Sequence, residues 1–254
     1  MISPSSSATT LRARCKRLKT AASSLSNLHA VVTGSSSGIG HAIASAMLAN
    51  GWRVSGLDVV APTISHATFT SVRIDLTDGD ALVTAANSLG DVDALVHAAG
   101  VLRVGNVGAL DHASGELMWR LHVDAATRLC DALLPNMTVR GTGRVIFIGS
   151  RVAAGMAGRG QYAATKAALI ALAKSWAAEV APHGVTVNVV SPAATATAML
   201  DDPNRASVMP KLPPIGRLIQ PEEIAALVSF LLSPAAAAIT GQDIQICGGS
   251  SLAK

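Results

Sequence analysis

Short apolar stretches alternate with longer stretches of helical periodicity from His29 onward. The apolar stretches predict strands at 29–33, 53–57, 72–74, 94–97, 144–148, 185–190 and 244–246. Helices are expected at about 39–50, 116–137, 162–181 and 222–232, the second interrupted near Pro135. Strands that alternate with helices predict an α/β domain built on a doubly wound parallel sheet with helices on both faces. Such a sheet binds ligands beyond the carboxyl ends of its strands, where the strand order reverses.

The composition fits one such domain. The chain has 254 residues, of which 50% are hydrophobic and only 3% aromatic. This content is enough for a large core of small aliphatic side chains between helices and a buried sheet. We see no repeats and no second domain, so residues 28–254 are assigned to a single unit. The Ala- and Pro-rich stretch 193–214 is longer than an ordinary connection, as a lid over a binding site often is.

The net charge of +4 comes from the first 27 residues, which carry five basic residues and no acidic one. Without them the chain has 15 basic and 16 acidic residues, so we expect no nucleic-acid partner. A Ser/Thr- and Arg-rich segment of this kind resembles a transit peptide, but it is also typical of a disordered basic tail, which we favour.

The three cysteines, Cys15, Cys130 and Cys247, are far apart in the sequence. They form neither a metal-ligand spacing nor a disulfide framework, so we expect no metal site and a reducing, cytoplasmic compartment. No apolar stretch reaches the roughly 18 residues of a membrane span, so no membrane partner is expected.

A glycine-rich turn follows the first strand and opens the first helix. Its sequence runs Thr33-Gly-Ser-Ser-Ser-Gly-Ile-Gly40. Gly34 allows a sharp turn, Gly38 allows close approach of a pyrophosphate, and Gly40 allows close helix packing. The N-terminus of the helix supplies N–H donors and partial positive charge for phosphates. The turn predicts a Rossmann-type dinucleotide site.

Asp58 ends the second strand, 18 residues after Gly40. A carboxylate there accepts hydrogen bonds from the ribose hydroxyls of NAD and repels a 2′-phosphate. No Arg or Lys lies in the turn or directly after Asp58, so NAD is favoured over NADP as cofactor. Asp75, after the third strand, either reaches the adenine or caps a turn, and the sequence does not decide between these.

Tyr162 and Lys166 lie four residues apart on a predicted helix and therefore share a face. A free phenol has a pKa of about 10 and is a poor base at neutral pH. Lowering it to about 7 requires ~4 kcal/mol, which a nearby ammonium and a positive nicotinamide ring can supply. Ser150 ends the fifth strand, where its hydroxyl can bind a substrate oxygen.

These motifs, in this order, resemble the short-chain dehydrogenase/reductase family over about residues 28 to 252. Besides the turn, Asp58, Ser150 and Tyr162-x-x-x-Lys166, the resemblance includes His97-Ala-Ala-Gly100 and Val187-Asn-Val-Val-Ser-Pro192. It implies that Tyr162 is the acid/base, that Ser150 binds the substrate oxygen and that Lys166 binds the nicotinamide ribose. It implies a homotetramer or homodimer and cofactor contacts from Gly34, Ser36, Ser37, Gly38, Ile39, Gly40, Asp58, Asp75, Leu76, Ala98, Ala99, Gly100, Tyr162, Lys166, Pro192 and Thr197.

The sequence departs from the family pattern at four places. His122 stands where the family has a helix asparagine that holds a relay water, so it is either a relay catalyst or a packed histidine. Ala193 replaces a glycine after Pro192, and His97-Ala98 replaces Asn-Asn. The loop between Ser150 and Tyr162 is about one residue short.

A further resemblance, to dihydrodiol dehydrogenases such as 2,3-dihydro-2,3-dihydroxybenzoate dehydrogenase, involves Ala94–Gly105 and Ile239–Ile246. We therefore expect an NAD-dependent oxidoreductase that acts on CH–OH or CH–CH groups of a small polar alcohol or ketone, with a cyclic dihydrodiol as one candidate. Arg103, Arg151 and Arg159 lie on loops near the strand ends and can receive a substrate carboxylate.

Two alternatives are kept. A 3-oxoacyl-carrier-protein reductase would prefer NADP, against which Asp58 argues. A non-catalytic dinucleotide sensor is suggested by His122 and Ala193, whereas the intact Ser150, Tyr162 and Lys166 argue against it.

Overall fold

The chain forms a three-layer α/β/α sandwich in a computed structural model that describes residues 28–202 and 211–252, except the side chain of Asp201. The predicted tail 1–27 lies outside these residues, as does part of the predicted lid. Seven strands form one sheet in the order β3-β2-β1-β4-β5-β6-β7, and every neighbouring pair is parallel. The predicted fold class is confirmed.

The strands and helices follow one another along the chain. The strands are β1 (His29–Thr33), β2 (Arg53–Asp58), β3 (Phe69–Arg73), β4 (Ala94–His97), β5 (Gly143–Ile148), β6 (Val185–Pro192) and β7 (Asp243–Ile246). The helices are α1 (Gly38–Ala49), α2 (Gly79–Ser88), α3 (His112–Trp119), α4 (Ala125–Arg140), α5 (Gly160–Val180) and α6 (Pro221–Leu232). A five-residue π-helical turn, Arg120–Asp124, joins α3 to α4.

Alternate residues of the strands supply two cores. Val31, Leu95 and Phe147 face α2, α4 and α5, whereas Val32 and Val96 face α1 and α6. Because the chain crosses from β3 to β4 on the far side of β1, the strand order reverses between β1 and β4. Their carboxyl ends therefore open a crevice where a ligand is expected.

Two helix predictions need correction. The long helix is not interrupted near Pro135, which lies inside α4; the irregularity is the π-helical turn fifteen to eleven residues earlier. Pro135 is tolerated because it and Asp131, whose carbonyl loses its N–H partner, both lie on the exposed side of the helix. The sequence prediction also missed α2, whose N-cap Asp78 accepts a hydrogen bond from the Ala81 N–H at 3.0 Å.

Candidate active site

A cavity of about 290 Å³ opens at the carboxyl ends of β1, β4, β5 and β6. Most of the residues predicted from sequence line it together. They are Gly34, Ser37, Gly38, Ile39, Gly40, Ala98, Ala99, Gly100, Ser150, Tyr162, Lys166, Pro192 and Thr197. The predicted site residues Ser36, Asp58, Asp75, Leu76 and His122 are not among the lining residues.

The glycine turn is packed too closely for larger residues. Gly34 has a left-handed φ of +68° and donates its N–H to the Leu57 carbonyl at 2.9 Å. A Cβ atom on Gly34 would lie 2.9 Å from the Cα of Ala99, and one on Gly40 would collide with the Gly34 carbonyl. The turn therefore brings the loops after β1 and β4 into contact at the strand reversal.

The N-terminus of α1 has the features of a phosphate-binding site. Within the described part of the chain, its N-cap Ser37 makes no side-chain capping bond and its first turn carries no acidic residue. The first N–H groups and the positive end of the helix dipole are thus not neutralised by the protein's own side chains. A Cβ on Gly38 would lie 3.2 Å from Cγ2 of Thr197, so the passage between α1 and the loop after β6 is narrow.

Asp58 is oriented by two backbone N–H groups at the end of β2. Its Oδ2 accepts from Ser36 at 2.9 Å and its Oδ1 from Val60 at 3.2 Å. The carboxylate is thereby tied to the glycine turn that Ser36 belongs to. Arg73 is the neighbour of Asp58 in the β2–β3 register and donates Nε to the Val59 carbonyl at 3.1 Å. The sequence argument, which considered only cations near in the chain, missed this one.

Lys166 and Tyr162 are buried side by side on α5. The Nζ of Lys166 lies 5.7 Å from the centre of the Tyr162 ring and donates to the Ile148 carbonyl at 2.9 Å. Burial lowers the pKa of Lys166 to about 7. Ser150 caps a short 3₁₀ helix, and its Oγ accepts the Val152 N–H at 3.2 Å. Because that bond uses a lone pair, the hydroxyl proton of Ser150 remains available to donate.

His122 lies in the π-helical turn and is fully buried. Its Nε2 accepts the Val101 N–H at 3.0 Å. Its Nδ1 lies 2.8 Å from Oγ1 of Thr165, which itself donates to the Tyr162 carbonyl at 2.8 Å. The proton is therefore on Nδ1, and both nitrogens have protein partners. Burial, followed by the charge of Lys166, holds the pKa of His122 well below its usual value, so the ring is neutral.

His97 is a second buried histidine, which sequence reasoning noted but gave no role. Oγ1 of Thr33 accepts the N–H groups of Ala98 at 3.0 Å and Ala99 at 3.1 Å, so it donates to Nδ1 of His97 at 3.0 Å. Burial, then the charge of Lys166, lowers the pKa of His97 to about 3. Thr33 and His97 thus hold the turn that follows β4 in place.

Three other predicted residues lie elsewhere. Oδ1 of Asp75 accepts from the N–H and the hydroxyl of Thr77, at 2.9 and 2.8 Å, which is the turn-capping alternative. Leu76 is buried in the core beneath α2 and α4. Arg103 forms an ion pair of 2.8 Å with Asp202 and does not line the cavity, whereas Arg151 and Arg159 do.

Thr165 and the Ile148 carbonyl were missed altogether. Thr165 follows Tyr162 by three residues, so it lies on the same helical turn, a spacing that could have identified it. A backbone acceptor has no sequence signal.

Within the described ranges, no group of three or more His, Cys, Asp or Glu residues could hold a metal ion. The helices that the structure describes include none that is long and apolar enough to cross a membrane.

The protein is similar to known oxidoreductases over most of its length. The family profile described as enoyl-(acyl carrier protein) reductase matches residues 34–251. The 3-oxoacyl-(acyl-carrier-protein) reductase FabG of Salmonella typhimurium is 37% identical over 234 residues, which are 87% of this chain and 96% of that protein. The short-chain reductase protein NovJ of Streptomyces niveus is 32% identical over 243 residues, covering 87% of this chain and 92% of its own.

Solved structures agree with the sequence relatives. A structure titled short chain dehydrogenase/reductase family protein is 34% identical, with a TM-score of 0.80, and the match covers 89% of this chain and 98% of that one. The ligand-free aldohexose dehydrogenase AldT of Thermoplasma acidophilum, 24% identical with a TM-score of 0.83 over 91% and 96% of the two chains, shares the fold. The chain belongs to the short-chain dehydrogenase/reductase family and is an oxidoreductase acting on CH–OH groups.

Proposed function

We propose that this enzyme interconverts a small secondary alcohol and its ketone with NAD(H). The proposal depends on one observation above all: Ser150, Tyr162 and Lys166 line the same cavity as the glycine turn. In the oxidative direction the alcohol loses a hydride from carbon and a proton from oxygen. Tyr162 takes the proton on its phenolic oxygen, and returns it to the ketone oxygen when the reaction runs in reverse.

The residues around the cavity fit a nicotinamide dinucleotide, which when bound accepts or donates the hydride. The narrow glycine turn and the uncapped N-terminus of α1 suit the pyrophosphate. Asp58 suits the ribose hydroxyls of the adenosine, and Lys166 those of the nicotinamide ribose. The Asp58 carboxylate is already oriented by the N–H groups of Ser36 and Val60, so little ordering is needed when a ribose binds.

Ser150 and Lys166 assist Tyr162 in different ways. The hydroxyl proton of Ser150 can be donated to the substrate oxygen, because its Oγ already accepts from Val152. Lys166 is anchored by the Ile148 carbonyl and lies beside the Tyr162 ring. An ammonium at that place stabilises the phenolate and so lowers the pKa that a phenol has in water.

We assign His122 a positioning role. Neither ring nitrogen is available for a relay water, because Val101 and Thr165 occupy them. Instead the ring connects the turn 98–101, which contributes to the cavity wall, to the helix that carries Tyr162 and Lys166. A Cβ on Gly100 would lie 2.9 Å from Nε2 of His122 and 3.6 Å from Nζ of Lys166, so these three groups are closely packed.

NAD(H) is preferred in this proposal because Asp58 would repel a 2′-phosphate. The relatives support a second candidate, a 3-oxoacyl thioester as the substrate, since several proteins at about 37% identity are named 3-oxoacyl-carrier-protein reductases. A ring alcohol of the dihydrodiol type has only the sequence resemblance in its support. A small alcohol is paired here with NAD(H) and a 3-oxoacyl thioester with NADP(H), so an assay with both cofactors distinguishes the two candidates.

The test is a spectrophotometric assay at 340 nm with NAD(H) and NADP(H), over secondary alcohols, dihydrodiols and 3-oxoacyl thioesters. We expect turnover with NAD(H) and at most weak turnover with NADP(H). Turnover of thioesters alone, with NADP(H) alone, would favour the reductase candidate. Tight dinucleotide binding with no turnover of any substrate would favour the sensor alternative.

We also propose a homotetramer or homodimer in a reducing, cytoplasmic compartment. Trp119 on α3 and Phe230 on α6 expose 50% and 46% of their surface on outer helix faces, which suits self-association. Cys130 and Cys247 are both free thiols. Light scattering of the purified protein would measure the assembly.

A further inference from the structure

We infer that the substrate carries a carboxylate close to its reacting carbon, and that Arg159, assisted by Arg151, binds it. The inference rests on the proposed function and names the substrate class of the same cavity.

The side chains that line the cavity have one sign of charge. Among the lining residues the structure describes there are four cationic side chains and neither Asp nor Glu. The four are Arg151, Arg159, Lys166 and Lys211. A concave, partly apolar wall strengthens electrostatic attraction because it excludes water. Such a cavity favours an anionic substrate over a neutral one of the same shape.

Arg159 is the cation best placed to bind that anion. Only 9% of its surface is exposed, and its backbone is fixed by three hydrogen bonds around it. Its N–H donates to Met156 at 3.1 Å, its carbonyl accepts from Ala163 at 2.8 Å, and the preceding Gly158 carbonyl accepts from Gly105 at 2.9 Å. A guanidinium has five N–H donors in a planar fork, so it can serve a protein partner and a carboxylate together.

The two arginines are close in the chain to Ser150 and Tyr162. Arg159 is the N-cap of α5 and Tyr162 follows it by three residues, so the two side chains leave the same turn of the helix. Arg151 directly follows Ser150 as the first residue of the 3₁₀ helix, and it is half-buried and lines the same cavity. Each arginine thus lies within three residues of a side chain that we expect to bind the substrate oxygen, which favours a carboxylate close to the reacting carbon.

The remaining wall limits the carbon skeleton. Leu102, Val152 and Met156 line the cavity; the first two belong to the small apolar cluster that also contains Tyr162, and Met156 packs against it. The cavity of about 290 Å³ includes the space beside the glycine turn, so the part left for substrate suits a compact molecule. The substrates that we infer are therefore a small hydroxy acid and its oxo acid, and not a long acyl chain.

Binding of non-reacting probes tests the inference apart from turnover. Benzoate and benzamide have nearly the same shape and differ in charge. With the protein saturated with NADH, calorimetry should find benzoate bound at least tenfold more tightly than benzamide. Arg159→Met should weaken benzoate about 30-fold and leave benzamide unchanged, as expected for one charge-assisted bidentate contact. Arg53→Met, an exposed arginine at the opposite end of the sheet, is the matched control.

Turnover of matched substrates distinguishes this inference from the proposed function. Each set shares one carbon skeleton as the hydroxy acid, its methyl ester and its phosphopantetheine thioester. We expect the acid to have the highest kcat/KM. Arg159→Met should raise the KM of the acid and leave the KM values of the ester and the thioester unchanged. Preference for the ester or thioester, or equal binding of benzoate and benzamide, overturns the carboxylate while leaving the oxidoreductase in place. No turnover of any set with either cofactor overturns both.

Discussion

Nε2 of His122 accepts a hydrogen bond of 3.0 Å from the backbone N–H of Val101. This bond joins a π-helical turn to the loop after β4, and the other ring nitrogen, Nδ1, lies within hydrogen-bond distance of Thr165 on α5. Three segments of the active site therefore meet at one neutral side chain. His122 lies within a π-helical turn, a feature that is frequent at functional sites.

The two bonds of His122 can be removed separately. Glutamine places its amide near the position of Nε2 and asparagine near that of Nδ1, so His122→Gln keeps the Val101 bond and His122→Asn the Thr165 bond. We expect His122→Leu, which keeps neither, to lower kcat about 100-fold, and the two amides to lie between it and the wild type.

The pH profile separates positioning from proton relay in these variants. A positioning role lowers kcat and raises the KM for the dinucleotide without moving the pH profile. A relay role would instead move the pH dependence of kcat, and then our assignment would be wrong. Thermal unfolding of each variant controls for loss of structure.

We expect Asp58 to control the choice of cofactor, and Arg73 to affect it once Asp58 is replaced. Asp58→Ala should weaken NADH binding about tenfold and strengthen NADPH binding, since the repulsion of the 2′-phosphate disappears. Arg73 is the cross-strand neighbour of Asp58 and would then attract the 2′-phosphate, so the double variant Asp58→Ala/Arg73→Met should lose the part of the gain that this attraction supplies. Fluorescence titration of both reduced dinucleotides measures this. Unchanged preference in Asp58→Ala would contradict the assignment.

The burial of Lys166 makes folding stability depend on pH. Burial lowers its pKa to about 7, whereas an exposed lysine titrates near a pKa of about 10.4. Between these values the unfolded chain binds more protons than the folded one, so the free energy of unfolding rises with pH across that window. This gain in the free energy of unfolding is complete above about pH 10.4 and is lost as the pH falls to about 7.

Lys166→Met should remove this slope in the cofactor-free protein. Urea unfolding at pH 7, 8 and 9 gives the slope directly. Lys174→Met is the control, since Lys174 is an exposed lysine on the same helix. If Lys166→Met and the wild type showed parallel pH dependence, Lys166 would not be titrating as its burial implies.

The sequence was sufficient to predict the fold class and the residues whose spacing indicates a mechanism. The glycine turn and the Tyr162–Lys166 pair were recognisable because helical spacing and turn geometry are local properties. The predicted strand 72–74 starts three residues later and ends one residue later than β3, since only this stretch is apolar enough to be noticed.

What the sequence did not provide depends on contacts between distant segments. The bonds of His122 to Val101 and Thr165 span 21 and 43 residues. The ion pair of Arg103 with Asp202, which removes Arg103 from the substrate candidates, spans 99. Arg73 approaches Asp58 only because β3 lies beside β2. None of these pairings has a local pattern, so only the folded chain reveals them.

The most direct test of the account is the single-turnover rate of Tyr162→Phe with its preferred substrate and NAD. The substitution keeps the ring against His122, at 5.7 Å between ring centres, and removes only the phenolic oxygen. We predict a rate about 1,000-fold below the wild type, with the dissociation constant of NAD unchanged. A rate within tenfold of the wild type, with structure and NAD binding intact, would contradict the role of Tyr162 as the acid/base.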